Sequence, residues 1–228
     1  MTPGNLQPGN LPDNGLLDDG LSKLGLHHKG LSPLLQKYIE EIELFNPAYG
    51  LVKVKDRREL IVKHILDSLT PLEIIKQLLD DKQGSIEIAD AGSGAGLPGI
   101  PLSFCLPQAE FTLIERMGRR AGFLRDCTAV LGIKNTRIEE TDMEKAAEGR
   151  FDTTVFRAFR PLEPAILKGL LRLLKPQGFL AAWKGRLENA REEMLSAVKT
   201  FPQLKWEIFP VAVPFLEEER CLVIIAEP

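Results

Sequence analysis

Residues 86–101 read IEIADAGSGAGLPGIP, and this stretch contains three closely spaced glycines between two apolar segments. An apolar run ends at Asp90, three glycines follow at alternate positions, and Pro98 opens a second apolar segment that continues to Cys105. This order predicts a strand, a tight turn and the start of a helix. Glycines permit a positive φ and a close approach to a ligand, while a helix N-terminus offers unpaired N–H groups. The stretch therefore predicts a binding turn for a nucleotide-like ligand or a carboxylate.

The spacing of Gly92, Gly94 and Gly96 narrows the choice of ligand. A dinucleotide-binding turn requires G-x-G-x-x-G, but the sixth position counted from Gly92 is Leu97, and no Gly-Lys-Ser/Thr of a P-loop follows. About twenty residues further on, Glu115 ends a second apolar run, and an acid there can accept hydrogen bonds from both hydroxyls of a ribose. A glycine turn and such an acid favour S-adenosylmethionine. A tight turn without any ligand is the alternative interpretation.

Strand-like and helical patterns alternate after this stretch, over residues 111–114, 118–131, 136–140, 152–156, 161–174 and 179–183. The alternation predicts a mostly parallel sheet with helices on both faces, which binds its ligand beyond the carboxyl ends of the strands. Two later strand-like runs, 207–213 and 221–226, have no helix between them and predict an antiparallel hairpin at the sheet edge. A parallel α/β sheet that closes in such a hairpin is typical of the Rossmann-like class I methyltransferases that use S-adenosylmethionine.

The N-terminal part of the chain has a different pattern. Residues 1–30 are rich in Pro, Gly, Asn and Asp, which predicts an extended, flexible segment anchored by its scattered leucines. Residues 31–82 contain three helical patterns and predict a small helical region in front of a methyltransferase domain over 83–228. On the second helix, His64 and Asp67 are three apart and share a face. Because no nucleophile motif accompanies them, a structural or ligand-positioning role is favoured over an acid/base pair.

The composition excludes several classes of protein. No stretch approaches the eighteen apolar residues of a membrane span, and the chain does not open with a basic segment followed by an apolar run. We therefore expect a cytoplasmic protein that is not associated with a membrane. The three cysteines, Cys105, Cys127 and Cys221, are far apart and predict neither a disulfide framework nor a metal site. They are interpreted as reduced residues in or near the core.

The formal net charge of −3 argues against a general nucleic-acid binder, which is normally basic. Local clusters can still bind RNA: Arg116, Arg119, Arg120 and Arg125 follow the second strand, and Arg157, Arg160, Lys184 and Arg186 follow later strands. The alternative interpretation is that these residues form solvated helix faces.

Five segments resemble one known family: NPAYGLVKVKDRRELIVKHILDSL (46–69), ADAGSGAGLPGIPLSF (89–104), LIERMGRRAGFL (113–124), RAF (157–159) and WKG (183–185). In this order they are similar to the ribosomal RNA small-subunit methyltransferase G family, also called glucose-inhibited division protein B, across residues 34–226. HILDSL and GLPGIPL together make the resemblance specific, whereas the glycine turn alone would not. The resemblance implies methyl transfer from S-adenosylmethionine to N7 of a guanosine in bacterial 16S rRNA. The expected partner is 16S rRNA or the small ribosomal subunit, and a monomer without metal is expected.

The resemblance also implies site residues. For the cofactor they are Asp90, Gly92, Ser93, Gly94, Gly96, Leu97, Glu115, Met143, Glu144 and Arg157. For catalysis on the substrate side they are Arg157, Phe159, Lys184 and Arg220. One position departs from the family, which often carries an arginine where Asp142 stands. Either the alignment shifts by a residue there, or another group such as Arg137 takes over the contact.

The residue types agree with this chemistry. Guanine N7 has a lone pair and no proton at neutral pH, so its attack on a methyl group needs no general base. The protein then has to align the reacting atoms and to hold a base displaced from its stack. Arginine and lysine can bind phosphates, and Phe159 can stack on a base or else pack in the core.

Two other functions stay open at this point. A nicotinamide-dependent oxidoreductase is disfavoured by the glycine spacing and by the terminal hairpin. A non-catalytic module that binds nucleotide or RNA on a methyltransferase fold is disfavoured by the intact turn and Glu115, but Asp142 leaves room for it.

Overall fold

The structure is a computed structural model that describes residues 13–26, 30–80, 82, 84–157 and 162–227. The strands in this part of the chain are β1 (Ile86–Ala91), β2 (Ala109–Ile114), β3 (Thr136–Glu139), β4 (Phe151–Arg157), β5 (Leu174–Lys184), β6 (Lys205–Val211) and β7 (Arg220–Ala226). They form one sheet in the order β3-β2-β1-β4-β5-β7-β6. Strands β1 to β5 pair in parallel, and β7 is antiparallel to both β5 and β6. The predicted fold class is confirmed, with β6 as the edge of the hairpin.

The helices of the described residues are α1 (Asp13–Lys23), α2 (Leu31–Tyr49), α3 over residues 57–69, α4 (Leu72–Leu79), α5 (Gly99–Cys105), α6 (Gly118–Leu131), α7 (Pro164–Arg172) and α8 (Leu187–Thr200). A short 3₁₀ turn covers Met143–Lys145. Helix α3 is α-helical at Arg57–Leu60, π-helical at Ile61–Leu66 and α-helical again at Asp67–Leu69. The sequence pattern predicted α6 with the correct bounds but missed α8.

The sheet separates two main apolar clusters because successive strand residues point to opposite faces. In β4, Val155 packs with the N-terminal helices, α5 and α6, whereas its neighbour Phe156 packs with α7 and α8. Both side chains are buried. The N-terminal helices therefore belong to the layer on the first face of the sheet.

Helix α1 lies in the segment for which the composition predicts a flexible chain. Its leucines are the reason for the difference, because Leu16, Leu17 and Leu21 are buried in the same cluster as α3. A Cβ added at Gly20 would lie 2.4 Å from the Leu66 side chain, so α1 and α3 are in close contact. The prediction that leucines anchor this segment is confirmed, but they do so on a helix.

The three cysteines are buried and free. Burial raises the pKa of Cys105 to about 11 and also raises the pKa of Cys127 and of Cys221. Over the described residues, no group of three or more His, Cys, Asp or Glu side chains could hold a metal ion. None of the helices in the described ranges combines the length and apolar character that a membrane crossing requires.

Candidate active site

The glycine turn follows β1 and folds back against the end of β2. The N–H groups of Gly92 and Ser93 donate to the Ile114 carbonyl at 2.9 and 3.1 Å. Gly92, Gly94 and Gly96 have φ values of 70°, 58° and 90°. Side chains rarely allow this conformation, so the alternate glycines are required by the backbone itself. The predicted tight turn is confirmed.

Asp90 connects β1 to the first turn of α5. The residue is 1% exposed, and its Oδ2 accepts a hydrogen bond from the Gly99 N–H at 2.9 Å. Its Oδ1 has no hydrogen-bond partner within the described residues. Burial raises the pKa of Asp90 to about 7, against the opposing effect of the Gly99 hydrogen bond. The structure thus gives Asp90 a structural contact beneath the turn, and its role in cofactor binding remains a prediction.

Glu115 stands directly after β2, where its carboxylate is fixed by two backbone groups. Oε2 accepts from the Gly94 N–H at 2.9 Å, and Oε1 accepts from the Met117 N–H at 2.8 Å. An ionised carboxylate offers about four acceptor positions, so each oxygen can accept a further hydrogen bond. Glu115 is therefore held in one orientation with acceptor capacity left for a ligand.

A cavity of about 430 Å³ opens between the glycine turn, the end of β2 and the turn at Met143–Lys145. Its lining residues are Gly92, Ile114, Glu115, Arg116, Met117, Arg120, Thr141, Asp142, Met143, Glu144 and Ile166. The volume lies within the range of small-molecule sites. Of the predicted cofactor residues, the cavity brings together Gly92, Glu115, Met143 and Glu144.

Apart from Arg157, the other predicted cofactor residues shape the turn, and none of them lines this cavity. Ser93 donates through Oγ to the Asp90 carbonyl at 2.8 Å, and Gly94 donates to Glu115. Leu97 is buried in the core. A Cβ at Gly96 would lie 2.5 Å from Ile100 Cδ1. Whether any of them contacts a cofactor stays a prediction.

Arg137 does not replace the arginine that the family often has at position 142. Its guanidinium donates to Thr112 Oγ1 at 2.9 Å and to Glu87 Oε2 at 2.6 Å. Glu87 is the second residue of β1, so these contacts lie toward the opposite end of the strands. The arginines that line the cavity are Arg116 and Arg120, which the sequence alone did not assign to the cofactor.

Arg157, at the end of β4, is held by α3. One guanidinium nitrogen, Nη1, lies 3.0 Å from Asp67 Oδ2 and 3.0 Å from the Lys63 carbonyl, and the other, Nη2, contacts His64 Nδ1. The second oxygen of Asp67 lies 3.5 Å from Arg220 Nε. The structure thus joins two predicted substrate-side residues, Arg157 and Arg220, to the His64 and Asp67 pair. Arg157 does not line the 430 Å³ cavity.

The π-helical turn makes this arrangement possible. The N–H of Asp67 bonds the carbonyls of His64 and Val62, which lie three and five residues back. In an α-helix it would bond the Lys63 carbonyl, which here accepts from Arg157. Such π-turns are frequent at functional sites, and the HILDSL sequence contains no Gly or Pro that would predict one.

The contacts also define the protonation of the two α3 side chains. Because a guanidinium only donates, His64 Nδ1 must be the acceptor, and the ring is neutral with its proton on Nε2. Burial, and then the charge of Arg157, lower the pKa of His64 to about 3. Burial raises the pKa of Asp67, while Arg157 and Arg220 oppose that effect. The favoured interpretation of a structural or positioning role agrees with these contacts.

The other predicted catalytic residues are Lys184, Arg220 and Phe159, and the first two have contacts outside the group around Asp67. Lys184, at the end of β5, lies 2.8 Å from Glu193 Oε1 on α8, and the same oxygen accepts from the Leu162 N–H. Arg220 Nη1 donates to the Glu219 carbonyl at 2.8 Å. Phe159 lies outside the described residues, so its predicted role is untested.

Two residues of this region were missed from the sequence. Tyr38 on α2 donates through its hydroxyl to the Ala95 carbonyl in the glycine turn at 2.7 Å. Trp183 on β5 donates through Nε1 to the Asp67 carbonyl at 3.0 Å. Trp183 stands in the WKG segment, which drew attention only to its lysine. Tyr38 occupies an ordinary helical core position and carries no signal in the sequence.

Sequence comparisons place these features among known proteins. The family described as rRNA small subunit methyltransferase G matches residues 32–223. A protein of that name from Treponema denticola is 38% identical, with 88% of this chain and 88% of the relative covered. One from Treponema pallidum is 39% identical over 202 residues, with 87% of this chain and 86% of the relative covered.

Structural comparisons agree on the fold. The plantazolicin methyltransferase in complex with SAH has a TM-score of 0.55 at 15% identity, over 85% of this chain and 99% of that one. A SAM-dependent methyltransferase from Aquifex aeolicus has a TM-score of 0.53 at 19% identity, over 71% of this chain and 90% of that one. At such low identity these similarities show the fold alone.

Proposed function

Because this chain belongs to the rRNA small subunit methyltransferase G family, we propose that it transfers the methyl group of S-adenosylmethionine to N7 of a guanosine in bacterial 16S rRNA. Membership of the family makes the protein an S-adenosylmethionine-dependent methyltransferase of small-subunit rRNA. The N7 target follows from the family, and the observation that supports cofactor binding is the cavity in which the glycine turn, Glu115 and residues 142–144 meet.

The residues of this cavity fit S-adenosylmethionine. Glu115 would accept the ribose hydroxyls, and Met143 and Glu144 would lie beside the adenine. Arg120 lines the cavity, and its Nη2 donates to the Gly50 carbonyl at 3.2 Å, so its guanidinium is held beside the space in which the amino-acid carboxylate would bind. When bound, the cofactor supplies a methyl group on a positively charged sulfur.

The work left to the protein is alignment. Guanine N7 already carries a free lone pair, so no side chain has to remove a proton. This suits His64, whose Nδ1 is occupied by Arg157 and which is neutral. We assign Arg157, Lys184 and Arg220 to the RNA side, because all three stand at strand ends on the carboxyl edge of the parallel strands. Phe159 stacking on the target base is part of the same proposal.

The partner follows from the family. The substrate is 16S rRNA, free or within the small ribosomal subunit, and we place the reaction in the cytoplasm, where ribosomes are assembled. We further propose a monomer that uses no metal, since N7 needs no Lewis acid to become nucleophilic. Sedimentation of the purified protein tests the monomer, and methyl transfer to free 16S rRNA with and without a chelator tests whether a metal is used.

Methyl transfer can be measured directly. The purified protein is incubated with labelled S-adenosylmethionine and small subunits from a strain that lacks the gene, and the modified nucleotide is mapped. Labelled N7-methylguanosine at one position of 16S rRNA is expected. Label at another atom would overturn the N7 assignment.

The non-catalytic alternative has its own outcome in this experiment. Calorimetric titration would then detect S-adenosylmethionine binding while no label entered either free 16S rRNA or the subunit. If S-adenosylmethionine did not bind at all, both the proposed methyltransferase activity and the assignment of the cavity to the cofactor would be contradicted.

A further inference from the structure

Asp67 is the residue at which α3 meets the carboxyl edge of the sheet. Its side chain is 6% exposed, and its Oδ2 pairs with Arg157 Nη1 at 3.0 Å. Its Oδ1 is buried, lies 3.5 Å from Arg220 Nε and has no hydrogen bond to any described residue. A buried carboxylate oxygen without a hydrogen bond is costly, so this one requires an explanation.

The contacts of Asp67 reach three neighbouring strands. Arg157 ends β4, Trp183 lies on β5 and donates to the Asp67 carbonyl, and Arg220 begins β7. These strands are consecutive in the sheet order. One residue of α3 therefore fixes side chains from strands that are far apart in the sequence.

The charges around Asp67 are unequal. Two guanidinium groups face one carboxylate, and His64 adds no charge because its Nδ1 accepts from Arg157. Lys63 on the same helix turns to Glu59 and Glu218, each at 3.0 Å. The group of Asp67, Arg157 and Arg220 thus carries an excess positive charge beside the strand ends that we assign to the RNA.

We propose that Asp67 is a positioning residue for methyl transfer, which holds Arg157 through one oxygen and takes up Arg220 through the other when RNA binds. The inference rests on the proposed function. Hydrogen bonds of an active site are often long in the free enzyme and tighten in the complex. RNA over this edge would displace water and strengthen the attraction between Oδ1 and Arg220. The two cations would then be fixed relative to each other during the reaction.

A double-mutant cycle tests this proposal. Asp67→Asn, Arg220→Gln and the double variant are assayed for kcat and for KM on the natural RNA substrate, and for S-adenosylmethionine affinity by calorimetry. Each single variant should lose about tenfold or more in kcat with a smaller change in KM, while cofactor affinity stays within about twofold. The double variant should lose no more than Asp67→Asn alone, because Arg220→Gln breaks a contact that Asp67→Asn has already removed.

Thr70→Val provides the matched control for α3. It removes the Thr70 hydroxyl that donates to the Leu66 carbonyl at 2.7 Å at the end of this helix, and it touches neither guanidinium. Its kcat should equal that of the wild type. If Thr70→Val lowers kcat as much as Asp67→Asn, Asp67 only stabilises the helix and the proposal fails.

Other outcomes are equally decisive. Additive losses in the double variant, or a rise in KM with kcat unchanged, would overturn a positioning role. If Asp67→Asn does not fold, Arg220→Gln alone decides, since unchanged kcat in that variant contradicts the proposal. A wild-type protein that methylates no 16S rRNA would refute the proposed function instead, which separates the two failures.

Discussion

At the scale of single residues, Glu115 and Arg157 lie on two sides of the site, because Glu115 lines the cavity and Arg157 is held by α3 outside it. Glu115 was predicted as an acid for a ribose from its place after the second strand, and it does line the cavity. Its two backbone donors, Gly94 and Met117, could not be foreseen, because they depend on how the turn folds back onto β2. Arg157 was assigned to the substrate side, but the four α3 acceptors around its guanidinium depend on the packing of a helix ninety residues away in sequence.

Glu115→Gln tests the cofactor site. The amide keeps the shape but replaces an acceptor by a donor, which cannot accept from a backbone N–H or from a ribose hydroxyl. S-adenosylmethionine affinity should fall by about 1–3 kcal/mol in calorimetric titration. Glu140→Gln is the control, because Glu140 pairs with the exposed Arg125 outside the cavity. Unchanged affinity in Glu115→Gln would contradict the proposal that Glu115 binds the ribose hydroxyls.

Arg157→Ala separates the two sides of the site. Arg157 is absent from the cavity lining, so the cofactor should bind with unchanged affinity while methyl transfer to 16S rRNA falls by about tenfold or more. Turnover and calorimetry on the same preparation provide the check. Normal turnover would show that Arg157 has no role in methyl transfer.

His64 predicts a pH dependence of stability. Its pKa is lowered from 6.5 to about 3 in the folded protein, so below pH 6.5 the unfolded chain binds a proton that the folded chain does not. The free energy of unfolding should therefore fall as the pH drops from about 6.5 toward 3, by up to about 1.4 kcal/mol per pH unit. His64→Gln should lose this dependence. Urea unfolding of both proteins at pH 7.5 and 5 measures this change. If the free energy of unfolding changed equally with pH in both proteins, the burial of a neutral imidazole would be contradicted.

At the scale of elements, prediction succeeded where one local pattern dominated. Helix α6 combines helical spacing with Gly132 just beyond its last turn, and its bounds were correct. Helix α8 was missed although its buried face of Ala190, Met194 and Ala197 has helical spacing, because most of its other positions are polar. Helix α1 was missed because Gly, Asn and Asp outweighed its leucines locally, whereas burial against α3 decides the outcome.

The junction of β1 and α5 offers a test with an internal control. A Cβ at Gly99 would lie 2.6 Å from Asp90 Oδ2 and 2.6 Å from Leu113 Cδ2, whereas a Cβ at Gly122 in α6 meets nothing within 4 Å. Gly99→Ala should lower the free energy of unfolding by about 1–3 kcal/mol. Gly122→Ala should raise it by about 0.5–1 kcal/mol, since alanine favours a helix. Denaturant unfolding compares them, and the same sign for both would show that the junction is not tightly packed.

At the scale of the whole molecule, the fold class was predictable from the sequence, but the strand order and the helices that cover the sheet were not. Alternating patterns and the terminal hairpin predict a mostly parallel sheet that ends in an antiparallel pair, as observed. No local pattern indicates that α3 lies across the ends of β4, β5 and β7, because those contacts join residues about ninety or more positions apart. We propose residues 83–228 as the methyltransferase domain and 31–82 as a helical region, and α1 packs into the same core as the latter.

Two leucines of the N-terminal helices differ in burial, and we expect their substitutions to differ in their effect on stability. Leu17 on α1 is fully buried, whereas Leu44 on α2 is 69% exposed. Leu17→Ala should lower the free energy of unfolding by about 2–5 kcal/mol, and Leu44→Ala should change it by less than about 0.5 kcal/mol. Thermal and denaturant unfolding provide the measurement. If Leu17→Ala is as stable as Leu44→Ala, α1 does not belong to the core.

The π-turn at Ile61–Leu66 has a consequence for the gene as well as for the site. A π-turn holds one residue more than the α-helix it interrupts, and each residue turns an α-helix by about 100°. If these residues were wound as an unbroken α-helix, the Asp67 carboxylate would point about a quarter-turn away from both arginines. Loss of a single codon within the turn removes the extra residue, and the resulting α-helix would keep Asp67 facing them. The gene can therefore lose one codon here without turning Asp67, whereas the full-length sequence needs the π-turn to hold it in place.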